Sequence, residues 1–229
     1  MNNKSQIAGK LYVVIPAFNE EKRLPQTISK IRQYLPLTRI IVVDDGSRQP
    51  ISNFLPRSVI VARHKVNLGK GMALKTGCEL GLKLGAKYIL LMDADGQHDP
   101  KEIPVFINQL KQSQIVFGCR TLAKNMPIWR FFGNRFLNYS VSTLFNLKLR
   151  DVWCGYRAFD VKIYPKIKWE SCDYSSDVEL VVNVGRHKFS YSEIVVGTIY
   201  HDKGSVTGTT LQDGLKLIID LFIWKLKFT

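Results

Sequence analysis

Short apolar runs alternate with longer amphipathic stretches through the first half of this chain. The runs are rich in Val, Ile and Leu, which is typical of strands buried on both faces. They span residues 11–15, 39–43, 59–62, 88–92 and 115–117. The stretches between them have helical spacing, and Asp99-Pro100 puts a proline in the first turn of one helix. This alternation predicts an α/β fold in which a mostly parallel sheet has helices on both faces.

The second half has a different pattern. Residues 126–150 mix aromatic with basic side chains, residues 151–160 and 194–200 look extended, and residues 211–228 predict a helix with apolar and lysine positions. Because no repeat or low-complexity linker separates the halves, we predict one domain over residues 1–229. Its predicted parts are a first half at 1–120, a second half at 121–205 and an amphipathic tail at 206–229.

Polar clusters follow three of the predicted strands. They are residues 16–20 after the first strand, Asp44 and Asp45 after the second, and residues 93–99 after the fourth. Since the carboxyl ends of parallel strands open onto one crevice, we expect these clusters to converge. Each alone would more often be a solvated turn, because Asp and Gly are common turn residues. Three clusters in order favour a site.

Asp93 and Asp95 stand two positions apart and repel one another unless a positive charge lies between them. Oxygen ligands suit Mg²⁺ or Mn²⁺, and Mg²⁺ usually takes one or two carboxylates together with water and substrate phosphates. The sequence therefore predicts a divalent metal ion that binds a diphosphate. His98 and His201 lack paired metal-ligand spacing, so we expect hydrogen-bonding or surface roles for them.

The formal net charge of +14 predicts a polyanionic partner. The candidates are nucleic acid, an anionic membrane surface and phosphorylated substrates. No zinc-finger spacing or RNA-binding aromatic signature supports nucleic acid. The four cysteines form no CxxC pair and no secretory signal is evident, which indicates reduced thiols and a cytosolic location. No apolar run reaches the roughly 18 residues of a spanning helix, so we expect any membrane contact to be peripheral.

Two features of the sequence have alternative interpretations. Residues 126–150 and 211–228 either cover the core or contact a membrane surface, and we expect membrane contact, with the tail as the stronger candidate. Gly69-Lys70-Gly71 lacks the upstream glycine and the Ser or Thr of a phosphate-binding loop. Either an anion binds at this helix N-terminus near Lys70, or the segment is a plain helix cap.

Six segments together resemble the family 2 glycosyltransferases, and more narrowly the polyprenol (dolichol) phosphate sugar synthases. They are residues 13–20, 40–47, 67–77, 91–100, 118–120 and 151–159, in the family's order. The resemblance implies a GT-A fold in which a nucleotide-sugar-binding half precedes an acceptor half. It also implies a metal-dependent, inverting transfer of a hexose from a UDP- or GDP-hexose to a polyprenyl phosphate at the cytosolic face of a membrane.

The resemblance also implies roles for individual residues. The nucleotide pocket would be lined by Pro16, Phe18, Glu20, Asp44 and Asp45. The rest of the substrate site would comprise Lys70, Asp93, Ala94, Arg130, Arg157 and Lys203. Asp95 and Gln97 would hold Mg²⁺ or Mn²⁺, and the catalytic set would be Asp95, Arg120, Asp151 and Asp177. Gly96 replaces a leucine that is common in dolichol phosphate mannose synthases, which argues against mannose.

The acceptor determines whether a general base is needed. A lipid phosphate is already ionised at neutral pH, whereas a hydroxyl acceptor must lose a proton. Family members that glycosylate hydroxyls usually have a late Glu-Asp pair, and this chain has Asp177 and Glu179 in a different arrangement. We therefore favour a lipid phosphate. The alternatives are a hydroxyl acceptor, with Asp177 or Glu179 as base, and a non-catalytic nucleotide-sugar-binding protein at the membrane.

Overall fold

A seven-stranded sheet forms the centre of the computed structural model, which describes residues 10–120, 128–197 and 211–226, with side chains for 10–120, 133–197 and 216–226. The strand order is β3-β2-β1-β4-β6-β5-β7. The strands are β1 Leu11–Ala17, β2 Ile40–Asp44, β3 Ile60–Arg63, β4 Tyr88–Leu91, β5 Ile115–Arg120, β6 Arg157–Asp160 and β7 Tyr191–Val196.

Seven α-helices are formed within the described residues. They are α1 Leu24–Ile31, α2 Lys70–Lys83, α3 Ile103–Gln109, α4 Ile128–Phe145, α5 Tyr164–Ile167, α6 Ser175–Arg186 and α7 Leu211–Leu226. Alternate residues of the central strands face opposite apolar layers. Val13 and Ile15 of β1 share one layer with apolar residues of α1 and α3. Val14 shares the other layer with apolar residues of α2, α4, α6 and α7. The predicted sheet with helices on both faces is thereby confirmed.

One strand of the sheet runs against the others. The first four strands pair in parallel, and β5 pairs in parallel with β7. Between these groups, β6 is antiparallel to both β4 and β5. Of the stretch 151–160 that looked extended, only Arg157–Asp160 joins the sheet, and the preceding residues form turns beside the end of β4. The last strand begins at Tyr191, earlier than predicted, and residues 198–200 lie outside the described range.

Helix α6 has no counterpart in the sequence prediction. Its residues 175–184 are all buried, because the helix packs against α2, α4 and α5. Its apolar residues lie on one side of the helix, but its polar side is enclosed as well. Ser176, Asp177 and Glu179 are therefore interior polar residues. The two acids among them require partners within the fold.

Helix α7 packs on α4 through one face. Its buried residues Leu217, Leu221 and Trp224 join the apolar layer, whereas Ile219 and Phe222 are more than half exposed. The exposed face of this helix therefore also carries apolar side chains, so the amphipathic tail remains a prediction. Across the described ranges, no helix combines the length and the apolar content required to cross a bilayer.

Candidate active site

The loop after β4 is closed by two short-range hydrogen bonds. The backbone N–H of Asp93 donates to Nδ1 of His98 over 3.1 Å. The backbone N–H of Gln97 donates to Oδ1 of Asp95 over 2.9 Å. Between them Gly96 has a φ of 76°, a conformation that side chains rarely adopt. The loop thus brings Asp93, Asp95 and Gln97 together at the carboxyl end of the sheet.

Lys70 joins the two halves of the molecule at this loop. Its ammonium group lies 2.7 Å from Asp93 Oδ1 and 3.0 Å from Asp177 Oδ2, although Lys70 and Asp177 are 107 positions apart. Burial alone would lower the pKa of Lys70, but Asp177 and Asp93 together raise it well above its usual range. Burial would likewise raise the pKa of Asp93, and Lys70 outweighs it, so that the pKa is lowered. Lys70 and Asp93 are therefore both charged at neutral pH.

Asp95 lies in a different electrostatic setting. Burial and the neighbouring charge of Asp93 raise its pKa. Burial also raises the pKa of Glu20, at the end of β1, and the charge of Asp95 adds to this effect. The carboxylates of Glu20, Asp93 and Asp95 therefore repel one another, although the ammonium group of Lys70 offsets part of their negative charge. A bound cation would relieve this repulsion.

The composition of this site fits a divalent ion bound jointly with a ligand. Within residues 10–120, 128–197 and 211–226, no three His, Cys, Asp or Glu side chains are grouped closely enough to hold a metal. Mg²⁺ typically takes one or two protein carboxylates and completes its shell with substrate phosphates and water. Asp95 and Gln97 supply oxygen donors of the required type, and the pKa of Asp95 is raised by burial and by the charge of Asp93.

The two acids after β2 are held by the fold itself. Asp44 is fully buried and accepts from the backbone N–H groups of Ser47 and Ile51 and from Arg63. Asp45 contacts Nδ1 of His64 at 2.7 Å and accepts from the backbone N–H groups of Leu68 and Gly69. Both carboxylates thus shape the loops that border the crevice.

The N-terminus of α2 is covered by a loop from the second half. Gly71 N–H donates to the carbonyl of Cys172 over 2.7 Å, and Trp169 Nε1 donates to the carbonyl of Gly71 over 2.8 Å. A Cβ on Gly69 or Gly71 would lie within 2.4 Å of a backbone oxygen of this loop. These contacts support the plain cap over an anion site at the helix end. The glycines are required because two backbones approach closely.

Arg120 and Asp151 form a two-pronged ion pair. Nε of Arg120 lies 2.7 Å from Asp151 Oδ2, and Nη2 lies 3.0 Å from Oδ1. The planar fork matches the carboxylate and fixes the guanidinium plane at the end of β5. The Arg120 side chain keeps 32% of its surface exposed. Asp151 therefore orients a cation that remains accessible from the crevice.

Arg157 requires a correction. We expected it beside the acceptor, but its side chain has no exposed surface. Its nitrogens donate to the carbonyls of Cys154, Val152 and Asp177, and its guanidinium lies 5.6 Å from the centroid of the Phe117 ring. Every nitrogen of the guanidinium is used inside the protein. Arg157 thus holds the 152–154 turn against α6 and does not reach a ligand in this structure.

Both acids that we considered as general bases, Asp177 and Glu179, have polar partners within the protein. Asp177 is 4% exposed, and its carboxylate faces Lys70 at 3.0 Å and Arg157 at 3.7 Å. Glu179 accepts from the backbone N–H groups of Glu170 and Ser171, both at 2.9 Å, and from Ser171 Oγ at 2.6 Å. Glu179 therefore shapes the loop that covers α2.

The remaining predicted positions divide into three groups. Pro16, Phe18 and Glu20 follow one another at the end of β1, where Phe18 is 46% exposed and Glu20 is half-buried. Ala94 is buried beneath the β4 loop. The side chains of Arg130 and Lys203, and His201 with them, lie outside the described residues. The four cysteines are free thiols, as expected.

Two residues near the site were not singled out by the sequence reasoning. A Cβ on Gly155 would lie 3.0 Å from Lys70 Nζ and 3.1 Å from Asp93 Oδ2, so a side chain at this position would make the ion pair shift. Tyr156 stacks on His98 with ring centroids 4.7 Å apart. Both lie in the segment 151–159 that carries the resemblance, where Gly155 and Tyr156 directly precede Arg157.

The fold is that of an α/β protein with acids gathered at the carboxyl edge of its sheet, and comparison with known proteins identifies the family. The description "Glycosyl transferase family 2" matches residues 12–168. This chain belongs to that family and is a glycosyltransferase. It is 32% identical over 226 residues to an uncharacterized protein of Methanocaldococcus jannaschii, with 95% of this chain and 93% of the relative covered.

Other relatives have named activities. A UDP-N-acetylglucosamine–dolichyl-phosphate N-acetylglucosaminyltransferase of Methanococcus voltae is 27% identical, with 94% of this chain and 96% of that protein covered. A polyprenol monophosphomannose synthase of Mycolicibacterium smegmatis is 25% identical, over 89% of this chain and 83% of that protein. Among solved structures, glucosyl-3-phosphoglycerate synthase of Mycobacterium tuberculosis with Mn²⁺ and UDP has a TM-score of 0.73 at 16% identity, covering 99% of this chain and 84% of that one. The structural similarity establishes the GT-A fold.

Proposed function

We propose that this protein transfers a hexose from a UDP- or GDP-linked donor to a polyprenyl phosphate, with Mg²⁺ or Mn²⁺ on the donor diphosphate. An acceptor phosphate oxygen attacks the anomeric carbon as the bond from that carbon to the diphosphate oxygen breaks. A single displacement of this kind inverts the anomeric configuration. Named relatives that act on dolichyl or polyprenol phosphates support this acceptor class.

The observation that carries the proposal is that neither candidate base is free. Lys70 and Arg157 engage the carboxylate of Asp177, and three donors occupy the carboxylate of Glu179. A hydroxyl acceptor requires a base within hydrogen-bond reach. A phosphate acceptor arrives with an ionised oxygen and needs positive charge instead. The charges at this edge therefore suit a phosphate acceptor better than a hydroxyl.

Arg120 supplies such a charge. Its Nε and Nη2 bind Asp151, while Nη1 has no bond to any residue that the structure describes. A guanidinium held by one carboxylate can still donate to a phosphate with its free edge. We assign Asp151 to the orientation of Arg120 and Arg120 to the acceptor phosphate or the leaving diphosphate.

The metal ion would be held by Asp95 and Gln97 and would neutralise charge that develops on the leaving diphosphate. Lys70 holds Asp93 in its charged form, so that Asp93 can accept from a donor hydroxyl. Solved structures of the same fold contain Mn²⁺ or Mg²⁺ together with UDP, which supports this arrangement.

The exposed face of α7 suits peripheral contact with an anionic membrane. Ile219 is 61% and Phe222 is 58% exposed, and the chain has a net charge of +14. Apolar side chains beside lysines are typical of helices that lie in a lipid interface. Ile219→Ser with Phe222→Ser should reduce sedimentation with anionic vesicles, whereas Leu84→Ser, at an exposed leucine beyond α2, should not. Equal loss with both variants would remove α7 from the interface.

The reaction is tested with a matched pair of acceptors. Purified protein, Mn²⁺ and a panel of UDP- and GDP-sugars are incubated with a short polyprenyl phosphate or with the same polyprenol lacking phosphate, and products are identified by mass. We expect a glycosylated lipid phosphate only with the phosphorylated acceptor. A chelator should abolish the product and added Mn²⁺ should restore it. Transfer to the free polyprenol, or to a glycan hydroxyl, would overturn the assignment of the acceptor.

A further inference from the structure

We propose that His98 is a positioning residue for the metal-binding loop. It accepts a hydrogen bond from the backbone N–H of Asp93 and thereby closes the loop, and we call this contact the clasp. The inference rests on the proposed function, since it concerns how Asp95 and Gln97 are presented to a divalent ion. His98 itself contributes no metal ligand in this proposal. It acts through the backbone of Asp93, at the other end of the loop.

The direction of one hydrogen bond determines the tautomer. The donor is the backbone N–H of Asp93, so Nδ1 of His98 must be the acceptor and must lack a proton. The proton is therefore on Nε2, which lies 3.7 Å from Asp93 Oδ2. The ring thus accepts from the backbone of Asp93 on one side and directs its N–H toward the carboxylate of the same residue on the other.

The imidazole ring of His98 is held in place by Tyr156. It is 4% exposed and stacks on Tyr156 with an interplanar angle of 12°. The Tyr156 hydroxyl donates to the carbonyl of Asp99 over 3.2 Å, and its ring packs against Phe106 with centroids 4.5 Å apart. The position of His98 is therefore set by Tyr156, which directly precedes β6 and is remote in sequence from the loop.

The consequence concerns the segment between the two ends of the clasp. Residues 94–97 lie between Asp93 and His98, and they include both proposed ligands, Asp95 and Gln97. Closing the ends of this short loop restricts the positions that the ligands can adopt before the ion arrives. Removal of a residue that orients a metal ligand weakens metal affinity by roughly 10- to 100-fold. We expect His98 to act in this way.

Two substitutions separate the hydrogen bond from the ring. In His98→Asn, Oδ1 takes the place of Nδ1 and can still accept from Asp93, but the stack on Tyr156 is lost. In His98→Phe, the ring can stack but nothing accepts from Asp93. The full chain is titrated with Mn²⁺ in excess UDP, and separately in excess GDP, and the free ion is measured by electron paramagnetic resonance. We expect His98→Phe to raise the Kd for Mn²⁺ about tenfold and His98→Asn to stay within about threefold of the unsubstituted protein.

Melting without metal and steady-state kinetics provide the complementary measurements. A purely structural role would lower the Tm of His98→Phe and leave the Kd of the folded protein unchanged, which would overturn the clasp. The clasp predicts instead a raised Mn²⁺ requirement, with kcat at saturating Mn²⁺ largely retained. A Kd that is equally weak in both variants would assign the effect to the ring and refute the hydrogen bond. If the unsubstituted protein binds no Mn²⁺ with either nucleotide, the metal site itself is refuted, and the clasp with it.

Discussion

The acids after β2 and those after β4 resemble each other in sequence and differ in what surrounds them. Asp44 and Asp45 each have three polar partners within the fold. Asp95 accepts one hydrogen bond from Gln97, and its pKa is raised by burial and by Asp93. Carboxylates with several internal partners stabilise loops, whereas one with a single hydrogen-bond partner is available to a ligand. The number of internal partners therefore distinguishes an acid that serves the fold from one that serves the chemistry.

Asp95→Asn tests the β4 side of this comparison and should have the largest effect. Loss of a metal ligand is expected to reduce sugar transfer about 1,000-fold, or roughly 4 kcal/mol in activation free energy. The free energy of unfolding should stay the same or rise, because the substitution removes a repelled charge. Transfer is measured by product mass and stability by denaturant titration. Near-normal transfer at limiting Mn²⁺ would remove Asp95 from the metal site.

Asp44→Asn is the matched change on the β2 side. We expect a loss of about 2–4 kcal/mol in unfolding free energy, because an amide cannot accept from all three donors and leaves buried N–H groups unpaired. Activity per folded molecule should change far less than in Asp95→Asn. If a fully folded Asp44→Asn protein loses activity at low donor concentration, Asp44 contacts the nucleotide base as the family resemblance implies.

Gly155→Ala tests whether activity depends on the position of the ion pair between Lys70 and Asp93. The added methyl group would lie 3.0 Å from Lys70 Nζ and 3.1 Å from Asp93 Oδ2, so the ion pair must shift. Because both contacts are with the ends of flexible side chains, the stability cost should be small. We expect activity to fall on the order of tenfold, since small displacements at a reacting centre are costly. The control is Gly133→Ala in α4, where the methyl group meets nothing within 4 Å and activity should be unchanged.

Arg63→Gln should have the smallest effect. Arg63 contacts Asp44 at 2.8 Å, but its side chain is 38% exposed, so solvent screens the pair. We expect a loss of about 1 kcal/mol in unfolding free energy, less than for Asp44→Asn, because the two backbone donors to Asp44 remain. A loss as large as that of Asp44→Asn would mean that Arg63, and not the loop backbone, accounts for the stability of this side.

Much of the donor side could be predicted from the sequence because its signals are local. The strands around β1, β2 and β4 are short apolar runs, and the acids follow them directly in the chain. Asp93, Asp95 and Gln97 were accordingly expected at one sheet edge, and the structure brings them together there.

The second half was less predictable because its polar residues are paired over long distances. The sequence does not reveal that Asp177 meets Lys70 or that Arg157 is enclosed by carbonyl groups. The polar side of helix α6 is buried as well as its apolar side, which the sequence pattern does not indicate. No local sequence pattern indicates that position 155 needs a small residue. The constraint arises from Lys70 and Asp93, whose side chains approach it from α2 and from the β4 loop.

The reversed strand β6 has a consequence for how this chain must be synthesised. Until residue 160 has left the ribosome, β4 lacks its neighbour on one side, and β5 has no strand beside it at all. Both would expose unpaired backbone groups on the nascent polypeptide, which favours association with other chains. We expect translation that pauses shortly before residue 157 to leave aggregation-prone material, and a pause a few dozen codons later to leave much less.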